Sequence, residues 1–516
     1  MPIIISLVSV MPCLSQTPDD KAAPLQPFEG LEYLWEAQTS VADGKTPLWL
    51  NANKHGLSSL EEANGYVRAS LTRPLSTDSA RRWGIGYGLD MVVPFHYTSD
   101  VVVQQAFAEV RWLHGALSVG SKEYPMQLKN NTLSTGSQTL GINARPVPQV
   151  RLALTDYWAI PFTRKWVHLK GHLAFGMMTD QQWQKDFTHQ QSRYTENTQF
   201  HSKAGYLKIG NAAKPLSLEL GIEMASTFGG KSYLVPGWGE IVEMMENQGG
   251  LRGMRNALML GGSDQDEGVY HNAAGNQLGS WMVRANYDKE KWRVAAYIDH
   301  FFEDHSQLYF LGKSGYGKGE HWNERTNGLM RYSLKDMLLG VELNLKNGTW
   351  LKNVVLEYIH TKDQSGPLYH DNTPNLPFKI SGIDSYYNHS IFTGWQHWGQ
   401  VMGNPLYRSP IYNDDGVIDV RDNRFEAFHL GVDGRVQSLD YRLMATWQNG
   451  VGTYMNPYTA PHHNVSIMAD CAYSFKQRPL RGWQLKAAVG MDAGGILGHN
   501  YGLQLTVSKR GLLGKH

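Results

Sequence analysis

Strict alternation of apolar and polar residues is the strongest pattern in this chain. The stretch PLSLELGIEMAS, at 215–226, shows it clearly. Every second residue there is apolar and the residues between are polar, charged or glycine: Leu216, Leu218, Leu220, Ile222 and Met224 against Ser217, Glu219, Gly221 and Glu223. Successive side chains of a β-strand point to opposite faces. The stretch is therefore predicted to be a strand with one apolar and one charged face.

The same alternation returns along most of the chain, in segments of roughly ten residues bounded by turn residues. It is clear at 167–177, 483–494 and 502–509. Further strands are predicted at 64–75, 82–96, 101–120, 147–160, 203–211, 277–288, 291–303, 336–346, 352–362, 424–436 and 439–450. The chain is therefore predicted to be all-β, with about fifteen or more strands.

Two architectures can use such strands. A soluble sandwich or propeller would bury the apolar faces, whereas a transmembrane barrel would turn them to lipid around a polar lumen. Full charges on the polar faces, at Lys170, Glu219 and Lys486, favour a watery lumen. Aromatic residues near strand ends favour the belts of a membrane barrel: Tyr87, Trp112, Trp166, Trp292, Trp447 and Trp483. The predicted fold is a large antiparallel transmembrane β-barrel.

The N-terminus supports export. Residues 3–10 form a short apolar run, and small Ser15 precedes Gln16, so 1–15 are predicted to be a signal peptide. The remaining chain, 16–516, is predicted to be one barrel domain. It would keep only Cys471, which excludes an internal disulfide. The alternation breaks at 238–260, where helical spacing predicts two short helices that pack at a barrel mouth.

Composition narrows the function classes. The net charge is +1, so nothing indicates a nucleic-acid partner. Nucleotide-binding and nucleophile-elbow motifs are absent from the sequence. The acidic stretch 299–306 and the DDG-containing stretch 412–422 lack full sets of metal ligands, and the second is predicted to be an Asx-rich turn. His462-His463 is predicted to lie in a solvated turn. No catalytic residue, metal or cofactor is predicted.

A long aromatic-rich loop is predicted at 365–422. Its central part, 386–407, reads YYNHSIFTGWQHWGQVMGNPLY. Two interpretations stay open: a loop folded over itself as a plug, or a stacking surface for a sugar. Tyr and Trp rings pack on sugar faces at low conformational cost, and amides add hydrogen bonds. The candidate glycan-binding residues are Tyr386, Tyr387, Asn388, Trp395, His397, Trp398, Asn404 and His429.

Several motifs together resemble one family. They are PLWLNANKHG at 47–56, GNQLGS at 275–280, HFFEDHS at 300–306, GNPLY at 403–407 and NRFEAFHLGVDG at 423–434. Their order and spacing are similar to those of the Wzi-type capsule assembly proteins of Gram-negative outer membranes. The resemblance implies a barrel of roughly eighteen strands, an occluded lumen and a small helical element at the periplasmic end. With the alternation, it sets the expected number at about 16–18 strands.

The resemblance also implies a role. Such a protein holds newly exported capsular or extracellular polysaccharide on the cell surface, without catalysis. Its partners would be that polysaccharide, outer-membrane lipid and, as a further candidate, the polysaccharide export machinery. Two other functions stay open: a porin for passive diffusion or sugar uptake, and an outer-membrane hydrolase.

Overall fold

Eighteen antiparallel strands close into one barrel. The computed structural model describes residues 26–234, 242–259, 275–303, 315–316, 323–324, 335–365 and 383–513. The first and last barrel strands pair, with Glu32 opposite Leu512 and Asp43 opposite Tyr501. This pairing completes the ring and leaves no edge in the wall. The prediction of a large antiparallel barrel is confirmed.

The barrel strands are numbered here in chain order. They are β1 Glu32–Asp43, β2 Ala63–Arg73, β3 Trp83–Phe95, β4 Val102–Trp112, β5 Gly115–Ser121, β6 Gln149–Ala159, β7 Val167–Met177, β8 Gln199–Ile209, β9 Leu216–Phe228, β10 Asn276–Asp288, β11 Trp292–Glu303, β12 Met337–Leu345, β13 Asn353–His360, β14 Phe425–Val436, β15 Leu439–Gly452, β16 Pro457–Ser474, β17 Trp483–Gly494 and β18 Gly498–Leu512.

Three sequence-based assignments are corrected. The predicted strand 101–120 is two strands, β4 and β5, because Leu113 takes a left-handed φ of 54° and turns the chain. Strands β1 and β16 were not predicted, since their outward positions include weakly apolar or polar residues such as Thr39 and Thr459. His462 and His463 therefore lie in a strand rather than in a turn.

The two ends of the barrel differ. At one end, called the turn end here, eight connections of two to nine residues join the strands, and β1 begins and β18 ends there. The opposite end, called the loop end, carries the long connections 44–62, 122–148, 178–198, 229–275, 304–336 and 361–424. Short turns at one end and long loops at the other are typical of outer-membrane barrels, where the long loops face outside the cell.

The outward face of the wall is apolar between two belts of aromatic rings. Leu152 and Val489 lie in the apolar band, with 58% and 53% of their surface exposed. At the turn end, Trp35 packs on Trp483 with ring centroids 5.6 Å apart. At the loop end, Phe428 packs on Tyr358 at 4.8 Å. An apolar band between aromatic belts is the surface that a barrel presents to lipid.

The belts contain the aromatic residues singled out from the sequence. Five of them lie towards the turn end, and Trp447 lies towards the loop end: the five are Tyr87, Trp112, Trp166, Trp292 and Trp483. No helix among the described residues is long and apolar enough to cross a membrane.

Within the described parts of the loop-end connections there are three α-helices: α1 Leu48–Asn51, α2 Gln181–Thr188 and α3 Gly250–Met259. Of the two helices predicted at 238–260, only α3 forms within the described residues, while 238–241 and 260 lie outside them. Val242–Glu246 is instead a strand, because it pairs with Lys231–Leu234 and gains a backbone ladder there. The strand Lys231–Leu234 lies between the two and also pairs with Tyr194–Glu196.

Helix α3 packs against the rim of the barrel. The outward side chain of Lys203, on β8, donates from its amine to the carbonyl oxygen of Ala257 at 3.1 Å and so caps the helix C-terminus. Gly253 lies against the Phe228 ring at the end of β9. These contacts place α3 at the loop end of the barrel.

Candidate functional site

Three loop-end connections fold back into the lumen and fill it. Together, residues 44–62, 122–148 and 383–424 are called the plug here. Their aromatic side chains form one buried core with the inward residues of the wall, and four of them have no exposed surface: Tyr386, Tyr387, Trp395 and Tyr407. The connection 178–198, with α2, packs over the plug through Asp180, which accepts a hydrogen bond from Gln396 at 3.0 Å.

Ring packing joins the plug to the wall. Tyr387 packs on Tyr407 with centroids 4.1 Å apart. Phe301, on β11, meets Tyr387 edge to face at 5.4 Å. Phe200, on β8, stacks on Trp395 at 5.9 Å. Aromatic pairs in such offset and edge-to-face arrangements add stability beyond the area that they bury.

Five buried carboxylates of the wall accept backbone N–H groups of the plug. They come from four strands, and the pairs are Glu223 with Leu140 at 3.3 Å, Asp299 with Gln138 at 3.1 Å, Glu303 with Tyr387 at 2.7 Å, Glu357 with Thr135 at 2.7 Å and Asp492 with Leu48 at 3.0 Å. A buried main-chain donor without a partner is costly, so each of these bonds stabilises the seated plug. The wall therefore holds the plug by its main chain at several separate points.

Sequence reasoning missed this role of the acidic residues. It interpreted charges on the polar faces as a sign of a watery lumen, yet in the described residues they have protein partners. Glu219 accepts from the Tyr157 hydroxyl at 2.7 Å, and the Lys170 amine donates to Gln127 at 2.8 Å. The available signal was the inward position of carboxylates such as Glu223, in strands whose outward positions are apolar.

Glycines let the plug approach the wall closely. Gly490 on β17 and Gly502 on β18 face α1, and a Cβ at these positions would lie 2.8 Å from Leu50 and 2.7 Å from Pro47. Both distances are shorter than real Cβ contacts allow. The first plug connection can therefore seat against these two strands only because both lack a side chain there.

The acidic side chains of 412–422 and 299–303 have partners within the protein. The Asp415 carboxylate accepts from the Val417 amide at 3.3 Å, which is the geometry of the predicted Asx turn. The Asn413 amide donates to the carbonyl oxygens of Val417 and Asp419, both at 2.8 Å. In the second stretch, Asp299 and Glu303 hold the plug as described above. Residues 304 and 305 lie outside the described residues.

Most of the eight residues predicted to bind glycan are buried, either within the plug or between the plug and the wall. Six have at most 3% of their surface exposed: Tyr386, Tyr387, Trp395, His397, Asn404 and His429. Each has a hydrogen-bond partner within the lumen or its cover, and the partners are respectively Asp336, Gln138, Thr139, Arg145, Thr135 and Leu133. The structure brings the first five together, whereas His429 lies on β14 beside Trp49, with ring centroids 5.1 Å apart.

Only Asn388 and Trp398 are partly exposed. The Asn388 amide donates to the Val420 carbonyl oxygen at 2.8 Å and therefore fixes one plug segment against another. Sugar contact stays a prediction for the whole group, but a ring without exposed surface cannot stack on a sugar. Only Asn388 and Trp398 can meet a ligand without a rearrangement of the plug.

Trp398 lies at the tip of a two-residue hairpin. Gln396 pairs with Val401 and His397 with Gln400, so Trp398 and Gly399 form the turn. Their φ angles are 56° and 79°, as a type I′ turn requires. Such turns favour Asn, Asp and Gly, and a bulky residue in this conformation is strained. Strain of this kind is a reason to consider a function for the ring.

The Arg145 guanidinium packs against the Trp398 ring. Its guanidinium carbon lies 4.3 Å from the ring centroid. The same guanidinium donates to Ser99 at 2.9 Å and to Thr98 at 2.7 Å. The Trp398 ring is therefore fixed in position by a cation–π contact while part of it remains open to solvent.

We expect acid to weaken the plug through His389. Its Nδ1 accepts the backbone N–H of Ile391 at 3.0 Å and of Phe392 at 3.3 Å. Burial, together with the nearby Arg193 guanidinium, lowers the pKa of His389 to about 3. Because the folded pKa lies below the ordinary value of about 6.5, this contribution to stability is present above pH 6.5 and is lost as the pH falls towards 3.

The test compares wild type with His389→Asn, which keeps an acceptor near the Nδ1 position but does not titrate. The two proteins should have similar unfolding temperatures at pH 7.5, and wild type should have the lower one at pH 4.5. Burial raises the pKa of Asp422 to about 7, so this residue stabilises the fold as the pH falls, opposite to His389. Because Asp422 is present in both proteins, its effect cancels in the comparison. Equal temperatures at both pH values would contradict the prediction.

Comparison with known proteins supports the fold. No protein-family model and no curated protein matches the chain. Among solved structures it is similar to Wzi of Escherichia coli, an outer membrane protein involved in group 1 capsule assembly and described as a carbohydrate-binding β-barrel. The TM-score is 0.53 at 13% identity, over 92% of this chain and 83% of that one.

Two further solved structures are less similar. OprD of Pseudomonas aeruginosa has a TM-score of 0.43 at 10% identity, over 93% of this chain and 94% of that one. OccAB4 of Acinetobacter baumannii has a TM-score of 0.43 at 8% identity, over 94% and 100%. The likeness to Wzi, at its low identity, shows that this chain has the fold of an outer-membrane β-barrel.

Proposed function

We propose that this protein is a non-enzymatic outer-membrane β-barrel that binds exported capsular or extracellular polysaccharide at its loop end and anchors it to the cell surface. The observation that carries the proposal is Trp398. Its ring is partly exposed on a rigid plug, at a backbone position that disfavours bulky residues, and it is backed by Arg145. An exposed, immobilised aromatic ring is a suitable platform for a sugar.

The outward surface supports the location. An apolar band between two aromatic belts matches a lipid bilayer, and the long connections all leave the barrel at one end. If that end faces outside the cell, Trp398 faces the medium into which a polysaccharide is exported. The fold of Wzi, which is itself described as carbohydrate-binding, is in keeping with this arrangement.

The packed lumen favours a receptor over a porin. A diffusion channel needs a continuous aqueous path, whereas buried rings and carboxylates from four strands fix the plug across this lumen. A polymer too large to enter the barrel could instead make many weak contacts with several copies of the protein. Repeated contacts along one chain give avidity.

Two measurements test the proposal. The purified protein should retain the polysaccharide of its own cells in a pull-down, and it should give no steady open channel in planar lipid bilayers. A steady ohmic conductance without polysaccharide retention would favour the porin. Turnover of a glycan or lipid substrate would favour the hydrolase.

Replacement of Trp398 by alanine should lower polysaccharide retention roughly ten-fold, since truncation of an aromatic anchor costs about 1–2 kcal/mol or more at each contact. The matched control is Trp350→Ala, which removes an indole with 68% exposure in a connection at the turn end. Both variants should stay closed in bilayers. Equal retention by the Trp398 and Trp350 variants would remove Trp398 from the site.

A further inference from the structure

A second polar site lies deeper in the barrel, between the plug and the wall. It is a half-enclosed cavity of about 100 Å³, lined by the plug segments 122–127 and 140–147 and by inward residues of β6 to β9. Three cationic side chains line it, namely Lys122, Arg145 and Arg151, against the single carboxylate of Glu223. The cavity shares Arg145 with the Trp398 site, but Trp398 itself does not line it.

Arg151 is the unusual member of this set. Its guanidinium carbon lies 4.0 Å from the centroid of the Tyr124 ring. Among the described residues, no hydrogen bond from its guanidinium and no ion pair is found. Other lumenal arginines are paired with carboxylates: Arg68 with Asp90, Arg284 with Glu342 and Arg442 with Asp470. The Arg151 side chain is half-buried near the Glu223 carboxyl group but makes no direct ion pair with it, and a bound anion would supply a direct partner.

The neighbouring groups already have partners. The Lys122 amine lies 2.7 Å from Glu109, and Arg145 donates to two hydroxyl groups as described above. Glu223 accepts the Tyr206 hydroxyl at 2.7 Å and the Ser137 hydroxyl at 3.2 Å, besides the Leu140 amide. Its lone pairs are therefore largely used by these donors. The donors of Arg151 remain available to a ligand in the cavity.

We infer that this cavity binds an oxyanion, and that its ligand class is the carboxylate of an acidic sugar unit. A planar guanidinium forms two parallel hydrogen bonds with a carboxylate. The Tyr124 ring holds the guanidinium plane in position, and the His172 imidazole, which lies 3.2 Å from the Ser202 hydroxyl, adds a polar group on the adjacent strand. The sugar assignment rests on the proposed function. Inorganic phosphate shares the same chemistry, so the test must separate the two.

The test is titration calorimetry on the whole protein in detergent at low salt, with glucuronate, glucose and inorganic phosphate as probes. Wild type should bind glucuronate more tightly than phosphate and should show no saturable heat with glucose. Arg151→Gln should bind glucuronate at least ten-fold more weakly. Arg151→Lys keeps the charge but loses the planar guanidinium. Its affinity for glucuronate should lie between those of wild type and Arg151→Gln. The control is Arg435→Gln, which alters an exposed arginine paired with Asp440 outside the cavity and should bind as wild type does.

Two results would overturn the inference. One is equal glucuronate affinity in wild type and Arg151→Gln. The other is a wild type that binds phosphate and not glucuronate, which would make the site an anion site without a sugar. Unfolding temperatures of the variants exclude a general loss of fold. Either result leaves polysaccharide retention through Trp398 untouched, so failure here and failure of the proposed function are distinguishable.

Discussion

Replacing Trp395 with alanine should unseat the plug and give a barrel that conducts ions. The indole has no exposed surface and stacks on Phe200. Its Nε1 donates to the carbonyl oxygen of Thr139 at 2.9 Å, which joins two plug segments. Truncation of a buried Trp to Ala costs about 3–5 kcal/mol, and it also leaves a buried carbonyl unpaired. We therefore expect frequent or steady openings in planar bilayers where wild type shows none.

The control for this experiment is Trp398→Ala. It removes the same side chain from the same hairpin, but at a partly exposed position whose indole contacts Arg145 rather than the core. The two variants should separate the two properties: Trp395→Ala opens the barrel, and Trp398→Ala stays closed but loses polysaccharide. A closed Trp395→Ala barrel of normal stability would show that the aromatic core does not hold the plug.

Replacing Gly403 with alanine should destabilise the plug to a similar extent, by overpacking the core rather than by leaving a cavity. A Cβ at this position would overlap with the Tyr387 hydroxyl and the Gln138 carbonyl oxygen, which belong to two different plug segments. That hydroxyl also accepts the Asn404 amide at 2.9 Å, so it cannot move without loss of a buried hydrogen bond. Overpacking of this kind costs about 3 kcal/mol. Thermal unfolding should shift to lower temperature, and openings should appear in bilayers.

Two companion variants make that result specific. Gly205→Ala adds the same methyl group to the wall where no atom lies within 4 Å of the new Cβ, and it should be tolerated. Tyr387→Phe combined with Gly403→Ala removes the nearest of the overlapping atoms, the Tyr387 hydroxyl oxygen, and should restore part of the stability. If Gly403→Ala and Gly205→Ala unfold at the same temperature, the close packing at Gly403 does not constrain the plug.

The wall of the barrel was predictable because one side of each strand faces lipid. Where outward positions are filled by large apolar residues, as at Leu216, Leu218 and Leu220, the alternation locates the strand. Strand β1 was missed because Ala37 and Thr39 occupy outward positions. The sequence-based prediction of a second helix failed at Val242–Glu246, where a neighbouring strand supplies backbone partners that periodicity cannot reveal.

The inside of the barrel was less predictable, since the same residue types suit a plug and a sugar site. Tyr, Trp and Asn are enriched in both. What distinguishes the two is contact with distant residues, such as the Glu303 carboxylate on the Tyr387 amide across 84 positions of the chain. The exposure of Trp398 depends on a type I′ turn that the pair Trp-Gly does not signal. Whether Arg151 forms an ion pair depends likewise on which carboxylates the fold brings next to it.

The position of the first plug segment has a consequence for the order of assembly. Residues 44–62 follow the first barrel strand, but Leu48 is held by Asp492 and Lys54 by Gln504, both near the end of the chain. Those partners lie 444 and 450 positions further along the chain. Contacts so distant in sequence form slowly. The segment must therefore wait, unseated, until the final strands join the wall, so that closure of the ring precedes closure of the lumen.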